Sequence, residues 1–595
     1  MTQTPPPSRR RLDVSHAGSF GPDTEHAQQS FMKSLFFGVI AEGLLFPYPE
    51  MSSSEVDQLH LVLGNVRKFF AGHVDSAAID RDQAIPAAVI AGLEEMGLFG
   101  MLVPQAYGGV GMSNSAYARV MQEVGGLDAS VGLTLGAHQS IGYEGLLLFG
   151  TEDQKRRYLP KLATGEMLAA FVLTEEGAGS DAAAIRTHAE LMPDGNYKLS
   201  GTKIWITNGG VADLFTVFAR TSPRDEGVKP KITAFLVERA FGVKSGPEER
   251  KLGIRGSSTT EVFFDDVIVP AANVLGEPGR GFKVAMEVLN SGRLGLAAGC
   301  VGACKHLIKL ATERVQERRA FGRPIGEFGL IKDKIASMLA ETYALESMVY
   351  MTTAIVDRRA DFSIESAICK VHGSETLWRV VNEALQIAAG IGYMEDFPYA
   401  RHLRDARINL IFEGTNEILR CFIALAGMSG PGQTLADVAK AMREPIKGFG
   451  LLSDFAIRKA RSAFGRERVL GAHPVLNREA VVFEEYAAEL GRNVEKVLRK
   501  HGHNIAEMQY TQRRLANVAI DLYAIASLLS RTTRKLERHG EEGARREVEL
   551  TSMFVSMAQG RLRANIDSFE HNDDELRKSI ADRAYVDGGY PFDVI

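Results

Sequence analysis

The feature that most constrains this chain is a change of hydrophobic period partway along it. From Ser54 to about Leu168 apolar residues recur at three- and four-residue spacing, as on amphipathic helices. Ser54 with Asp57 marks a capped start, and Val103–Gly111 interrupts the pattern as a loop. Near Ala169 the period falls to two. Short β-branched and aromatic runs follow at Leu214–Ala219, Ile232–Val237 and Glu261–Phe264. Tyr197–Gly210 reads as a strand, a turn and another strand. Helical periodicity returns at Phe282 and runs to Ala426, the signature of a bundle. After a predicted loop at Gly427–Gly432 a further helical stretch reaches Ile595. Its clearest stripe is Leu515, Val518, Leu522, Ile525 and Leu529, a packing face.

The expected fold is therefore α+β and multidomain. Residues 1–50 form a disordered or extended arm, 51–168 a helical domain and 169–280 an antiparallel β domain. Residues 281–430 form a four-helix-type bundle, and 431–595 a helical extension. At 595 residues the chain is long enough for several cores. Its net charge of −5 is spread without a basic domain, which argues against a nucleic-acid partner. Four cysteines in such a length make no disulfide framework and fit a reducing compartment. Cys300 and Cys304 lack a histidine at ligand spacing, so packing and not a metal is expected of them. Arg9–Arg11 is followed by no apolar region, which excludes a secretory signal. The run Leu35–Ala41 is too short to span a bilayer.

Five segments carry candidate chemistry. Glu413 lies among apolar neighbours in Ile411–Glu417, just before Gly414. A desolvated carboxylate there has a raised pKa and can serve as a base; an ordinary helix-start acid is the alternative. Phe171–Ala182 contains Gly177, Gly179 and Ala182 at dinucleotide-fingerprint spacing. Asp194-Gly195 signals a hairpin where that motif needs a helix, so a Rossmann site is not expected. Hydroxyls at Thr174 and Ser180 would face a ligand, unless the loop is a plain connector. Trp205 and Thr207 share a strand face, as core or as the wall of a planar cofactor. Arg318 and Phe321 sit in a tight glycine turn suited to a phosphate or adenine group, with solvated arginine as the alternative. Gln386–Tyr393 ends a helix in small residues, which allow close approach or merely cap the helix.

Together and in this order the segments resemble the acyl-CoA dehydrogenase family of flavoproteins over roughly residues 50–430. The extension, Phe46–Pro49 and Thr134–Ser140 are similar to its very-long-chain branch. The resemblance implies FAD as cofactor and dehydrogenation of long or very-long acyl-CoA to trans-2-enoyl-CoA, the first step of fatty-acid β-oxidation. Glu413 would take the α-proton while the flavin accepts the β-hydrogen as hydride. The enolate oxygen would be held by the Glu413 backbone N–H and a ribityl hydroxyl. Phe171, Thr174, Trp205 and Thr207 would lie along the isoalloxazine. Arg318, Phe321, Gln386 and Gly390 would meet the FAD of a partner subunit, with Thr415 and Glu417 nearby. Ser180 and Arg293 would touch the CoA portion, and Gly414 would adjoin the substrate.

Some relatives carry the base immediately before the residue matching Arg293; here that position is Gly292, so Glu413 has no rival. Two departures stand out: Glu176 where the family has proline, and Ala389-Gly390 where it has two glycines. Gly132 and Gly136 share a helix face. Since interior glycine costs a helix about 1 kcal/mol relative to alanine, they make room either for a long acyl tail or for a close helix contact. The electron acceptor implied is an electron-transfer flavoprotein, and the oligomer a homodimer. Basic and apolar residues interleave at Phe455, Arg458, Lys459, Arg461, Phe464, Arg466 and Arg468. Residues 450–470 are thus a candidate peripheral membrane contact, or a solvated basic helix. The expected location is cytoplasmic, peripheral to the inner membrane, for a bacterial chain and mitochondrial for a eukaryotic one. An assembly scaffold for respiratory complex I that keeps this fold is the alternative function.

Overall fold

In the computed structural model, residues 30–223, 230–441 and 467–594 are described. After α1 (Phe31–Leu35), the first domain holds α2 (Ser53–His73), α3 (Ser76–Asp82), α4 (Ala87–Glu95), α5 (Asn114–Leu127), α6 (Ala129–Gly136), α7 (Glu144–Phe149) and α8 (Glu152–Thr164). Side-chain oxygens of Ser52, Ser113 and Thr151 accept backbone N–H groups at helix starts, which satisfies donors the helices leave open. A π-helical stretch, Ala137–Tyr143, joins α6 to α7. Buried His138 ties it to its surroundings: Nε2 lies 3.0 Å from the Leu162 carbonyl, and Nδ1 accepts the Ala169 N–H at 2.9 Å.

The β domain is one eight-stranded sheet. Its strands are β1 (Ala169–Val172), β2 (His188–Leu191), β3 (Tyr197–Thr207), β4 (Leu214–Arg220), β5 (Ile232–Glu238), β6 (Lys244–Ser245), β7 (Thr259–Val269) and β8 (Val274–Leu275). The order is β6-β7-β3-β2-β4-β5-β8, with β1 beside β4. Two expectations need correction. The sheet is not wholly antiparallel, because β1 runs parallel to β4, with Ala169 opposite Leu214. Residues 197–207 are one strand and not two: the pairing with β7 shifts register at Leu199/Gly201 and at Lys203/Ile206. Gly201 (φ 152°) and Trp205 (φ 56°) absorb these bulges, so the glycine bends a strand and does not end it.

The bundle comprises α9 (Gly281–Glu317), a short hairpin of β9 (Arg319–Ala320) and β10 (Arg323–Pro324), α10 (Gly329–Asp357), α11 (Ser363–Ala388), α12 (Pro398–Arg407) and α13 (Asn416–Ala441). Helix α9 is long and apolar enough to cross a membrane, but much of it is buried in the bundle core. The extension supplies α14 (Asn477–His501), α15 (Gln509–Gly543, interrupted at Gly540), α16 (Arg545–Asp567) and α17 (Asp574–Asp587). The predicted stripe from Leu515 to Leu529 is buried, and one continuous apolar core runs through bundle and extension.

Two more expectations are overturned where the extension meets the bundle. Residues 31–50 are not an extended arm: Phe31, Met32, Leu35 and Phe36 are fully buried in that shared core. Nor is Gly427–Gly432 a loop, because α13 continues through it with Pro431 inside. A side chain at Gly427 would stand 2.5 Å from the Phe36 ring, and one at Gly430 2.9 Å from Phe37. Gly427 thus makes a seat for Phe36, and burial of that ring, at about 1.5–3 kcal/mol, outweighs the glycine's poor helix propensity. The basic stretch from Phe455 to Arg466, with the N-terminal residues 1–29, lies outside the described residues; Arg468 is exposed.

Candidate active site

Glu413 stands in the turn between α12 and α13 with left-handed backbone (φ 59°), followed by Gly414 at φ 92°. Left-handed geometry at a non-glycine residue is costly and persists only where surroundings enforce it. Two buried cations do so. Arg293 on α9 donates from Nε to the Glu413 carbonyl at 3.2 Å, and from a terminal nitrogen to Asn290 at 3.0 Å. Lys370 on α11 donates to the Gly414 carbonyl at 2.7 Å and to Asn416 Oδ1 at 2.8 Å. The Thr415 hydroxyl accepts the Ile418 N–H and caps α13.

The cations hold the main chain and leave the carboxylate free. Glu413 Oε2 is buried without a hydrogen-bond partner. It lies over Gly292, where a Cβ would approach it to 3.0 Å and Ile141 to 2.6 Å. The glycine that removes the rival base therefore makes the room this one occupies. Burial pushes the Glu413 carboxyl up to about 7, against the opposing charges of Arg293 and Lys370. The result is a carboxylate poised to take a proton near neutral pH.

Glu413 lines a cavity between α5, α6, α9 and α12. Along α9 the lining runs from Gly292 through Gly295 and Gly299 to Ala303. Gly136 and Gly132 both face the cavity but differ in what they touch. A side chain at Gly132 would meet the Gly125 backbone at 3.1 Å, a close helix contact, whereas one at Gly136 would meet only Met121 at 3.5 Å. Thr207 lines the cavity too, so β3 brings its hydroxyl to the same space as Glu413.

Among the other expected residues, Trp205 is 63% exposed on the bulged strand. Phe171 packs on Phe218 with centroids 4.9 Å apart, and the Thr174 carbonyl accepts the Ile204 N–H. The glycine segment forms a turn and then a single 3-10 turn before β2, so the long helix of a Rossmann site does not follow it. Behind the turn, buried Lys203 donates to Glu175 at 2.8 Å and to the Leu173 carbonyl at 2.9 Å. Ser180 and Glu417 are exposed. Arg318, Phe321, Gln386 and Gly390 are all exposed on the bundle. Arg293 departs from expectation: its guanidinium is engaged beneath the Glu413 turn, which makes it a positioning residue more than an open CoA contact.

These residues fit a flavin. An exposed indole held by strained backbone stands on the strand whose Thr207 shares the cavity with an unpaired buried carboxylate. Ala389 bears the cost of its departure openly, since φ 55° and ψ −135° suit glycine and strain alanine by about 1–3 kcal/mol. Ala389→Gly is expected to raise the urea midpoint of unfolding; an unchanged or lower midpoint contradicts this strain.

Sequence reasoning missed Lys203 and Lys370. The signal for Lys370 is a lone lysine inside the buried run Ile364–Val371 of α11.

Comparison with known proteins agrees with this geometry. Family models match for the acyl-CoA dehydrogenase N-terminal domain (residues 57–166), middle domain (170–267) and C-terminal domain (279–428), and for the ACAD9/ACADV C-terminal domain (474–590). The chain is 45% identical over 553 residues to the mitochondrial very long-chain specific acyl-CoA dehydrogenase of Bos taurus, covering 91% of this chain and 84% of that one. An acyl-CoA dehydrogenase from Bacillus anthracis solved with FAD superposes with TM-score 0.75 at 30% identity, covering 92% and 94%. A chain in a structure described as the electron transferring flavoprotein of Acidaminococcus fermentans matches with TM-score 0.60 at 35% identity, covering 63% and 98%. The chain belongs to the acyl-CoA dehydrogenase family, in the branch with a helical C-terminal extension, and is an FAD-dependent oxidoreductase.

Proposed function

We propose that this dehydrogenase acts on long-chain and very-long-chain acyl-CoA and passes electrons to an electron-transfer flavoprotein. The observation that carries the chain length is the depth of the cavity. Gly292, under the Glu413 carboxylate, and Ala303 are eleven residues apart on α9. That is roughly 16 Å at about 1.5 Å per residue. It accommodates roughly a dozen methylenes at about 1.25 Å each, the advance of ~1.5 Å bonds meeting near ~111°. The acceptor is supported by the likeness to the Acidaminococcus fermentans chain.

Glu413 removes a proton from the carbon α to the thioester carbonyl, and its backbone N–H faces the oxygen on which charge develops. Arg293 and Lys370 keep the turn in place through the Glu413 and Gly414 carbonyls. Bound FAD supplies the acceptor for the β-hydrogen and its electron pair, so loss of proton and hydride leaves a trans-2-enoyl thioester. Thr174, Trp205 and Thr207 would hold the ring, and Arg318, Phe321, Gln386 and Gly390 the FAD of a second subunit in a homodimer. Ser180 is the candidate contact for CoA.

The test is turnover of palmitoyl-CoA with electron-transfer flavoprotein as acceptor, measured across pH. The base works deprotonated, so kcat/KM should rise through about pH 7 and fall about tenfold per unit below it. A flat profile between pH 5 and pH 8 contradicts the role given to Glu413, and transfer to oxygen alone contradicts the acceptor.

A further inference from the structure

The cavity is apolar along Gly292–Ala303 of α9 but not on every wall. On the opposite wall His402, Asp405 and Asn409 follow one another on successive turns of α12 and the short helix after it. Two of these have a polar atom engaged. The Asp405 carboxylate accepts the Ile254 N–H, and Asn409 Nδ2 donates to the Asp405 and Ala406 carbonyls. His402 differs. It is 8% exposed, it lines the cavity, and its Nε2 is buried with no partner. Leaving such a nitrogen unpaired costs about 1–3 kcal/mol. A saturated tail arriving there would not relieve that cost.

The position of His402 is fixed by its neighbour. Its ring centroid lies 5.2 Å from that of His306 on α9. His306 lies one helical turn beyond Ala303, the last cavity-lining residue on α9, which is roughly 16 Å from the reacting end at about 1.5 Å per residue. Only the tail of a long acyl chain reaches that depth. Burial, with smaller contributions from His306 and Arg401, drives the His402 ring down to about 3, so it is neutral at working pH. A neutral imidazole nitrogen pairs with an uncharged hydroxyl and gives no counter-charge to a carboxylate.

We propose that the far end of the acyl cavity is a polar subsite, centred on His402, for acyl-CoA whose tail carries a hydroxyl. The proposal rests on the long-chain reading above, and palmitoyl-CoA turnover in the same assay reports on that reading separately. The experiment compares kcat/KM for ω-hydroxypalmitoyl-CoA and palmitoyl-CoA in FAD-loaded wild-type protein, His402→Leu and His402→Gln. A site built to hydrogen-bond a hydroxyl discriminates strongly through that bond. The hydroxyl-to-plain ratio should fall at least tenfold in His402→Leu and be largely kept in His402→Gln, which can still pair. Calorimetric binding of the two ligands should show the same change without turnover. An equal ratio in wild type and His402→Leu, by both readouts, overturns the proposal and leaves the nitrogen to a resident water.

Discussion

Glu413→Gln is expected to abolish flavin reduction by acyl-CoA, by about 10³-fold or more, while the protein still binds FAD and substrate. A positioned general base contributes about 10²–10⁴-fold, and among the described residues Glu413 supplies the carboxylate nearest the Gly292 Cβ position. The geometry makes this a clean substitution. Glutamine has nearly the same volume, and Arg293 and Lys370 bind backbone carbonyls, which the change leaves in place. Stability should not fall either. The folded-state pKa is raised, so the acid contributes most below its unfolded value of 4.5 and that contribution is lost as pH rises through about 7. The neutral amide escapes that loss. The check is stopped-flow absorbance of FAD-loaded variant and wild type, with urea unfolding of both above pH 7. Undiminished bleaching in the variant would remove Glu413 from the chemistry.

Gly299→Phe should shorten the substrate range sharply without harming the fold. A Cβ at Gly299 meets no other atom within 4 Å, and the residue lines the cavity on α9. The ring would therefore enter the cavity space, while glycine's cost of about 1 kcal/mol in a helix interior is relieved. It would stand seven residues past Gly292, roughly 10 Å along the axis. Tails longer than that lose their burial at about 0.8 kcal/mol per methylene, so several lost methylenes amount to about 10²-fold. Palmitoyl-CoA kcat/KM should drop by about that factor, while butyryl-CoA kcat/KM stays within a few-fold. An equal drop for both would mean a general disturbance and not a blocked tail. The same substitution at Gly132 would strike the Gly125 backbone and is expected to destabilise the protein.

The order of helical, β and helical segments was legible because hydrophobic period is a local property, and the structure keeps it. What stayed hidden depends on distant partners. Residues 31–36 lack a long periodic run, yet Phe31, Met32, Leu35 and Phe36 are buried, with α13 presenting Gly427 to the Phe36 ring. Gly427–Gly432 read as a loop for lack of any local sign of what it faces. Tyr197–Gly210 read as two strands about a turn, whereas pairing with β7 shows one strand over 197–207 bulged near Gly201. At the site, Glu413 and Gly292 were visible as residue types. The clamp of Arg293 and Lys370 was not, because carbonyl acceptors have no sequence signature. His402 was passed over for the same reason, its importance lying in an unpaired atom.

The most direct measurement is anaerobic mixing of FAD-loaded wild-type protein with acyl-CoAs of graded length, following the flavin absorbance in a single turnover. Rapid bleaching with palmitoyl-CoA, faster than with butyryl-CoA and yielding the trans-2-enoyl product, is the result expected from a Glu413 carboxylate with its Oε2 buried at one end of a deep, largely apolar cavity. An oxidised flavin that stays yellow with every acyl-CoA, in protein shown to bind them, would contradict it.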